Sequence, residues 1–433
     1  MEDLENQPPN AITAVQEINP LAKTEEEEQT PDVKQEVENL KKGTGFENVS
    51  TVMGTRYLFN GFRFLGVYMP ENNRVLYVIW SAFINLLVTI FLPVGFAMSF
   101  VKMSGEELEI GNLLTSVQVS INVLGCSIKI ILMGFLLPQL LSCEPIINKL
   151  DKRCHTKEEM DSIKRFIKEG NRFVVLFSIS YWSYSSSTCL SAVIFHRLPY
   201  NIYNPFIDSK VSNLHFYAAV FVEMALIDIA CFQQVVDDSY AVIYVNILRT
   251  HLDILLKRIK NMNENASTSL EANFVELKMC IIDHKNIIQL YNTIAPIISI
   301  TIFVQFTITA TILGATLINI LLFATNFASI VASCFYVLAV VVEIFPLCYY
   351  AQCLMDESNR LSDVIFHSNW VDQDVRYRKM LIFFIHRSQR TIEFTAGKLF
   401  PITLNSFLSI AKFSFSLYTF IKEMGIKEKF TNK

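Results

Sequence analysis

The residues of this chain best placed to do chemistry are hydroxyls and aromatics set inside apolar stretches. Residues 178–195 read SISYWSYSSSTCLSAVIF, crowding Trp182, Tyr184, Ser185, Ser187, Thr188 and Ser191 into one half of an apolar run. An apolar pocket with a few hydroxyls can orient a small ester, ketone, alcohol or aromatic, which needs dispersion contacts and one hydrogen bond. The plain alternative is that the hydroxyls bond back to their own helix or let neighbouring helices approach closely. Near the C-terminus, Phe413, Ser416, Phe420 and Glu423 stand at i, i+3, i+7 and i+10, on one helix face. Such a stripe is often mere packing. Here, however, Ser409, Lys412, Ser414, Ser416 and Thr419 fall close together, which is too polar for a helix surrounded by lipid. A bulky apolar residue near the mouth of a pore can also gate it by dewetting.

Enzyme chemistry is not indicated. HExxH, GxSxG and GxxxxGK[ST] are all missing from the sequence, and its seven histidines are isolated from one another. The nine cysteines follow no zinc spacing, and Cys348 and Cys353 are too far apart for CxxC. They read as reduced, small apolar residues. The sequence therefore predicts no catalytic residue, no metal site, no cofactor and no nucleic-acid partner.

The elements that must position these residues are membrane helices. The chain is 52% hydrophobic over 433 residues, with a mean hydropathy of +0.34. The apolar excess sits in blocks that reach the roughly 20 residues a bilayer core demands. Seven spans are expected, at about 75–101, 112–141, 173–195, 214–246, 287–318, 326–354 and 399–421. Backbone amides in lipid must be satisfied internally, so these are read as helices, the fourth and fifth extending beyond the bilayer. Residues 1–40 hold eleven acids against Lys23 and Lys34, with four prolines, and read as disordered. No basic n-region and apolar h-region open the chain, so a cleaved signal peptide is not expected.

Orientation follows from the basic flanks. The segments 142–172, 247–286 and 355–398 are rich in Lys and Arg, while the alternate loops hold only Lys102, Arg197 and Lys210. That places the N-terminus in the cytoplasm and, after seven crossings, the C-terminus outside, although Lys422, Lys427, Lys429 and Lys433 oppose the rule. The sequons at Asn48 and Asn265 then fall on cytoplasmic segments and should stay unused. Four ionisable residues lie within spans: Lys129, Glu223, Asp228 and Glu343. Lys129 is read as snorkelling to the inner interface, and Glu223 and Asp228 as paired or facing a wet cavity.

The last eighty residues carry a resemblance. The Asn369-Trp370 pair, the RYRKMLIFFIHRSQR helix, the Ala396-Gly397-Lys398 hinge and the Ser-x-Ser-x-aromatic terminal helix resemble the C-terminal signature of insect odorant receptors. Phe413-Ser414-Phe415-Ser416 stands where that family has a Tyr-Ser-Tyr-like core. The resemblance implies an all-α membrane protein of seven transmembrane helices. Its parts would be a cytoplasmic acidic tail (1–50), a six-helix ligand-binding domain (51–354), an anchor segment through which subunits meet (355–398), a pore-lining seventh helix (399–421) and a short outer tail (422–433). It further implies a volatile-ligand-gated, non-selective cation channel in the plasma membrane of sensory neurons, acting in smell. The long second intracellular insertion of the odorant receptor co-receptor is missing, so the chain looks like a ligand-tuning subunit in a heterotetramer with that co-receptor. Odorant would bind between the outer halves of helices 2, 3, 4 and 6, at Trp182, Tyr184, Ser187 and Thr188. By depth the other walls would be Gln118, Ile121, Phe216, Phe221, Phe335 and Tyr336. The pore would be lined by Phe413, Ser416 and Thr419, with Phe420 at the constriction and Glu423 at an outer mouth favouring cations. A gustatory-receptor channel is the alternative, disfavoured by the reversed Tyr418-Thr419 pair. A G-protein-coupled receptor is disfavoured by the inverted charge pattern.

Overall fold

Helices begin where the sequence supplies a side-chain acceptor for their free N–H groups. Thr156 and Glu159 cap each other's backbone in a capping box, and Ser212, Ser269, Asp374 and Thr403 each accept an N–H from the first turn that follows. The computed structural model describes residues 49–70, 74–103, 110–262, 269–323 and 327–424. The acidic tail up to residue 48, both sequon asparagines and Lys427, Lys429 and Lys433 lie outside the described residues.

The described residues from Ser50 onward form one unit. In chain order its elements are α1 (Arg56–Phe64), α2 (Arg74–Asn85), a π-helical turn (Leu86–Phe91), α3 (Leu92–Met103), α4 (Ile110–Leu141), α5 (Glu144–Asp151), α6 (Lys157–Ile194), α7 (Asn213–Asn261), α8 (Leu270–Ile318), α9 (Phe327–Phe366) and α10 (Val375–Ser388). A two-residue hairpin pairing β1 (Thr395–Ala396) with β2 (Phe400–Pro401) leads into α11 (Leu404–Glu423). Among the described residues five helices are long and apolar enough to cross a membrane: Arg74–Lys102, Leu113–Asp151, Asn213–Asn261, Leu270–Leu321 and Ile330–Phe366. Of the remaining predicted spans, 173–195 is helical as far as Ile194 on α6 and 399–421 is helical from Leu404 on α11, and these are the two hydroxyl-rich ones. Val75, Ile79, Val94, Val101 and Phe135 stand exposed on the outer helices, a surface whose natural solvent is hydrocarbon. This is an all-α membrane fold.

Three boundaries differ from the sequence reading, the third predicted helix starting at Lys157 rather than 173, where the Thr156–Glu159 capping box opens it. The last helix starts at Leu404 rather than 399, because Pro401 has no N–H for a helix interior and residues 395–401 form the hairpin instead. Gly397 and Lys398 make its turn with φ of +60° and +58°. The helix expected to end near 354 continues unbroken to Phe366, through Pro346.

At 1.5 Å per residue the 49-residue α7 and α8 are each about 74 Å long, more than twice a bilayer core. The bundle therefore has two storeys. In one, α7 packs between α6 and α9 while α8 packs on α4 and α11. In the other, beyond the predicted spans, the N-terminal parts of α6 and α8 meet the C-terminal parts of α7 and α9, together with α5 and α10.

Candidate functional site

In the membrane storey a cavity of about 40 Å³ is enclosed by four helices. Three of them present the same spacing to it. On α4 the wall is Val119, Asn122, Val123 and Cys126; on α7 it is Ile227, Ala230, Cys231 and Gln234; on α9 it is Tyr336, Ala339, Val340 and Glu343. Each set runs i, i+3, i+4, i+7, one stripe of an α-helix about 10 Å long. The fourth wall is Tyr181 and Tyr184 of α6, one turn apart. The rings of Tyr184 and Tyr336 meet across one end, with centroids 4.5 Å apart and planes tilted by 31°.

The opposite end is polar. Asn122 Nδ2 donates to Gln234 Oε1 at 2.9 Å, and Gln234 reaches the carboxyl of Glu343. One helical turn further along α4, Lys129 donates to Asp238 Oδ1 at 2.7 Å and to Gln305 Oε1. Tyr181 donates to the other Asp238 oxygen at 2.8 Å. Lys129 is thus 3% exposed and paired, not snorkelling. A carboxylate of its own lies within reach in the interior, so its charge has no need of the interface. Several buried atoms bordering this network have no hydrogen-bond partner: Glu343 Oε1, both Asp237 carboxyl oxygens, and the hydroxyls of Tyr184, Tyr336 and Thr188. An unmet polar group inside a protein costs free energy, so such a cluster beside a cavity suits a ligand that completes it.

The predicted ligand residues fall into two groups. Tyr184 and Tyr336 line the cavity. Thr188 and Gln118 are buried close by, and Ile121 is half-buried against the core. Trp182, Phe221 and Phe335 are not in the wall, being 42%, 74% and 37% exposed. Each lies about 90° or more around its helix from the centre of the lining stripe, an angle that a reading by depth alone cannot see. Ser187 bonds back to Tyr184 O at 2.8 Å. Phe216 stacks on His196 at 4.0 Å, at the mouth of the 195–212 loop. Glu223 ties that loop down, accepting the N–H groups of Tyr200 at 3.0 Å and Ile202 at 2.8 Å. Asp228 accepts from Ser185 Oγ at 2.9 Å. Asn122, Cys126, Tyr181, Cys231 and Gln234 escaped the sequence reading. Their signal was polar or small residues sharing one stripe with apolar neighbours.

On α11 one face is buried and the other bare. Ser414 donates to Ala310 O of α8 at 3.3 Å, and Leu417 sits where a side chain on Gly314 would collide. Phe413, Ser416, Phe420 and Glu423 lie exposed, and Thr419 is half-buried. The hairpin holds this helix to α8: Gly397 N donates to Ser299 O at 2.8 Å, and a Cβ at Gly397 would lie 2.6 Å from the Phe303 ring.

The second storey is closed by charge. Arg258 donates to Glu159 at 2.5 Å, to Asp283 at 2.7 Å and to the carbonyl of Arg153 at 2.7 Å. Arg153 closes the ring on Asp283 at 3.0 Å. Burial would raise the Glu159 carboxyl, but bonds from Arg258 and from the Thr156 and His155 N–H groups hold it below its ordinary range. Asp283 goes the other way, burial outweighing its two arginines. Beside it, burial and the Arg387 charge press His284 down to about 4. Between α8 and α10 an open groove of about 780 Å³ has an apolar floor that includes Ile281, Phe383 and Phe384, rimmed by Lys285, Lys379 and Arg387.

Among the described residues no group of three or more His, Cys, Asp or Glu is placed to hold a metal ion. Residues 109–415 match the family model described as 7tm Odorant receptor. Odorant receptor 42b of Drosophila melanogaster is 36% identical over 379 residues, covering 87% of this chain and 94% of its own. Odorant receptor 59b of the same fly is 34% identical, covering 89% and 96%. In fold the chain is similar to the insect olfactory receptor OR5 from Machilis hrabei, with a TM-score of 0.69 at 15% identity, over 86% of this chain and 98% of that one. A second structure of that receptor, in complex with eugenol, aligns at a TM-score of 0.61 over 86% and 99%. With the family model spanning most of its length and relatives above 30% identity covering nearly all of theirs, this chain belongs to the 7tm odorant receptor family.

Proposed function

We propose that this chain is the ligand-tuning subunit of an odorant-gated, non-selective cation channel in the plasma membrane, assembled as a tetramer with the odorant receptor co-receptor. The observation that carries it is the cavity whose four walls come from α4, α6, α7 and α9, with unpartnered hydroxyl and carboxyl atoms around it. A volatile molecule there would complete those bonds and spread the stripes. The neighbour in fold that was determined with eugenol supports the cavity as an odorant site. The chain has no part as an enzyme in this reading.

The bare face of α11 supplies the conduction path, with Phe420 at the constriction, Phe413, Ser416 and Thr419 along the wall and Glu423 drawing cations to the mouth. The groove between α8 and α10 supplies the subunit contact, its apolar floor covered by a neighbouring subunit. The basic residues of the second storey support a cytoplasmic N-terminus and an outer C-terminus. Binding then acts through the difference in ligand affinity between closed and open states, about 1.4 kcal/mol for a tenfold preference.

The test is whole-cell current from cells expressing this chain with and without the co-receptor, with G-protein cycling blocked, against a panel of volatiles. The expected result is rapid odor-evoked cation current only in co-expressing cells. Responses that vanish when G-protein cycling is blocked would overturn the channel reading in favour of a metabotropic one.

A further inference from the structure

Glu343 of α9 is 7% exposed and lies at the polar end of the cavity, an i+7 step along its stripe from Tyr336. One of its carboxyl oxygens is within reach of the Gln234 amide, and the other, Oε1, has no partner. The nearby cation is turned elsewhere, since Lys129 donates to Asp238 and Gln305 and makes no bond to Glu343. The Gln234 amide oxygen is likewise taken, by Asn122. At the other end the Tyr184 and Tyr336 hydroxyls are also unmet, while Val119, Val123, Ile227 and Val340 make the length between apolar. The space is a polar socket joined to a short apolar sleeve.

We propose that Glu343 is a specificity-determining residue of this receptor, selecting small ligands that bear a hydroxyl group, which bonds to Oε1 while the carbon chain fills the sleeve. This rests on the reading of the cavity as the odorant site. A hydroxyl both donates and accepts, so it satisfies the carboxyl whichever protonation state Glu343 adopts. A ketone or ester carbonyl only accepts, so it bonds Oε1 only when that oxygen carries the proton, and an alkane leaves Oε1 buried and unmet. Size adds a second filter. An engineered cavity of about 150 Å³ holds benzene, and this one is about 40 Å³, so ligands of a few heavy atoms fit with least spreading of the Tyr184–Tyr336 pair.

The experiment uses the receptor co-expressed with its co-receptor and a matched panel of three- to six-carbon alcohols, the corresponding ketones, and alkanes of equal length. Both odor-evoked current and ligand-induced thermal shift of the purified complex are recorded for the wild type, Glu343→Gln and Glu343→Leu. Alcohols should surpass ketones and alkanes of equal length in the wild type. Glu343→Leu should lower alcohol potency about tenfold or more, the loss of one buried hydrogen bond, and leave alkanes unchanged or improved. Glu343→Gln, which still donates and accepts, should retain most of the alcohol response. Parallel shifts for alcohols and alkanes, or a wild-type preference for ketones that Glu343→Leu leaves intact, would overturn the assignment. If no panel member evokes current in the wild type while a direct agonist of the co-receptor still does, the gating reading fails separately. The thermal shifts then decide on Glu343 by the same comparison.

Discussion

Two polar clusters lie along the same long helices, and they are built to opposite ends. Around Arg258 the guanidinium meets Glu159, Asp283 and a backbone carbonyl. Around Lys129 the ammonium meets Asp238 and Gln305, yet Asp237 and Glu343 beside it, and Tyr184 and Tyr336 at the other end of the cavity, keep atoms without partners. The first is a knot that locks four helix ends together. The second leaves unmet bonding capacity where a ligand can use it. Satisfied networks rigidify and unsatisfied ones mark sites, and here both occur in one bundle.

The largest effect should come from cutting the knot. Arg258→Met removes the guanidinium shared by two buried carboxylates, leaving Glu159 without a cation and Asp283 with Arg153 alone, and should cost about 3–5 kcal/mol. Thermal unfolding of the purified complex should show a large loss of Tm and cells should show poor surface delivery; a Tm within a degree of wild type would dissolve the contrast. Acid should attack the same storey. His284 and His251 are both held near 4 against an ordinary 6.5, burial being the main cause in each. Their folded pKa lies below the unfolded one, so the unfolded chain takes up protons first as pH falls. Their contribution is therefore full above about 6.5, declines from there to about 4, and is lost below that, by up to about 1.4 kcal/mol per pH unit for each imidazole. The raised Asp283 carboxyl acts with the opposite sign, as pH falls from its raised folded pKa to the ordinary 3.8. Unfolding midpoints measured from pH 7.5 to 4.5 should fall for the wild type and fall less for His284→Phe.

A smaller effect is expected at the hinge joining the storeys. Gly397 has a φ of +60° and no room for a Cβ beside Phe303, so Gly397→Ala should cost about 1–3 kcal/mol. It should also change current kinetics, because the hairpin that holds α11 to α8 must shift. The smallest effect sharpens the comparison most. Tyr240 and Thr301 share a buried hydrogen bond, and Tyr240→Phe should cost about 1 kcal/mol. Tyr336→Phe removes a hydroxyl that bonds to nothing and should leave Tm unchanged or raise it, while altering the ranking of ligands. Equal costs for the two would mean that the cavity hydroxyls are satisfied after all.

Much of the fold was legible because bilayer solvation leaves a heavy imprint on composition. The apolar runs, the Ser, Thr and Asp caps and the helix extensions beyond the lipid can all be found by length and spacing. Less was legible at the site. Trp182 sits two positions from Tyr184 in the sequence, but two residues rotate a helix by about 200°, so one faces outward and the other inward. Lys129 read as a snorkelling cation because its depth was visible and its partner, Asp238 on α7, was not.

What the sequence by itself determined is therefore the solvent of each segment: which stretches face hydrocarbon, where helices start, and that hydroxyls and charges had been placed where lipid would reject them. Only the tertiary structure decided which of those polar groups meet. Pairing depends on the rotation of each helix about its axis and on its register against three neighbours. Those are set by contacts far apart in the chain, such as Gly125 against Ile308 and Ser414 against Ala310. The difference between the sealed knot at Arg258 and the open socket at Glu343 comes from that packing, since both draw on the same residue types.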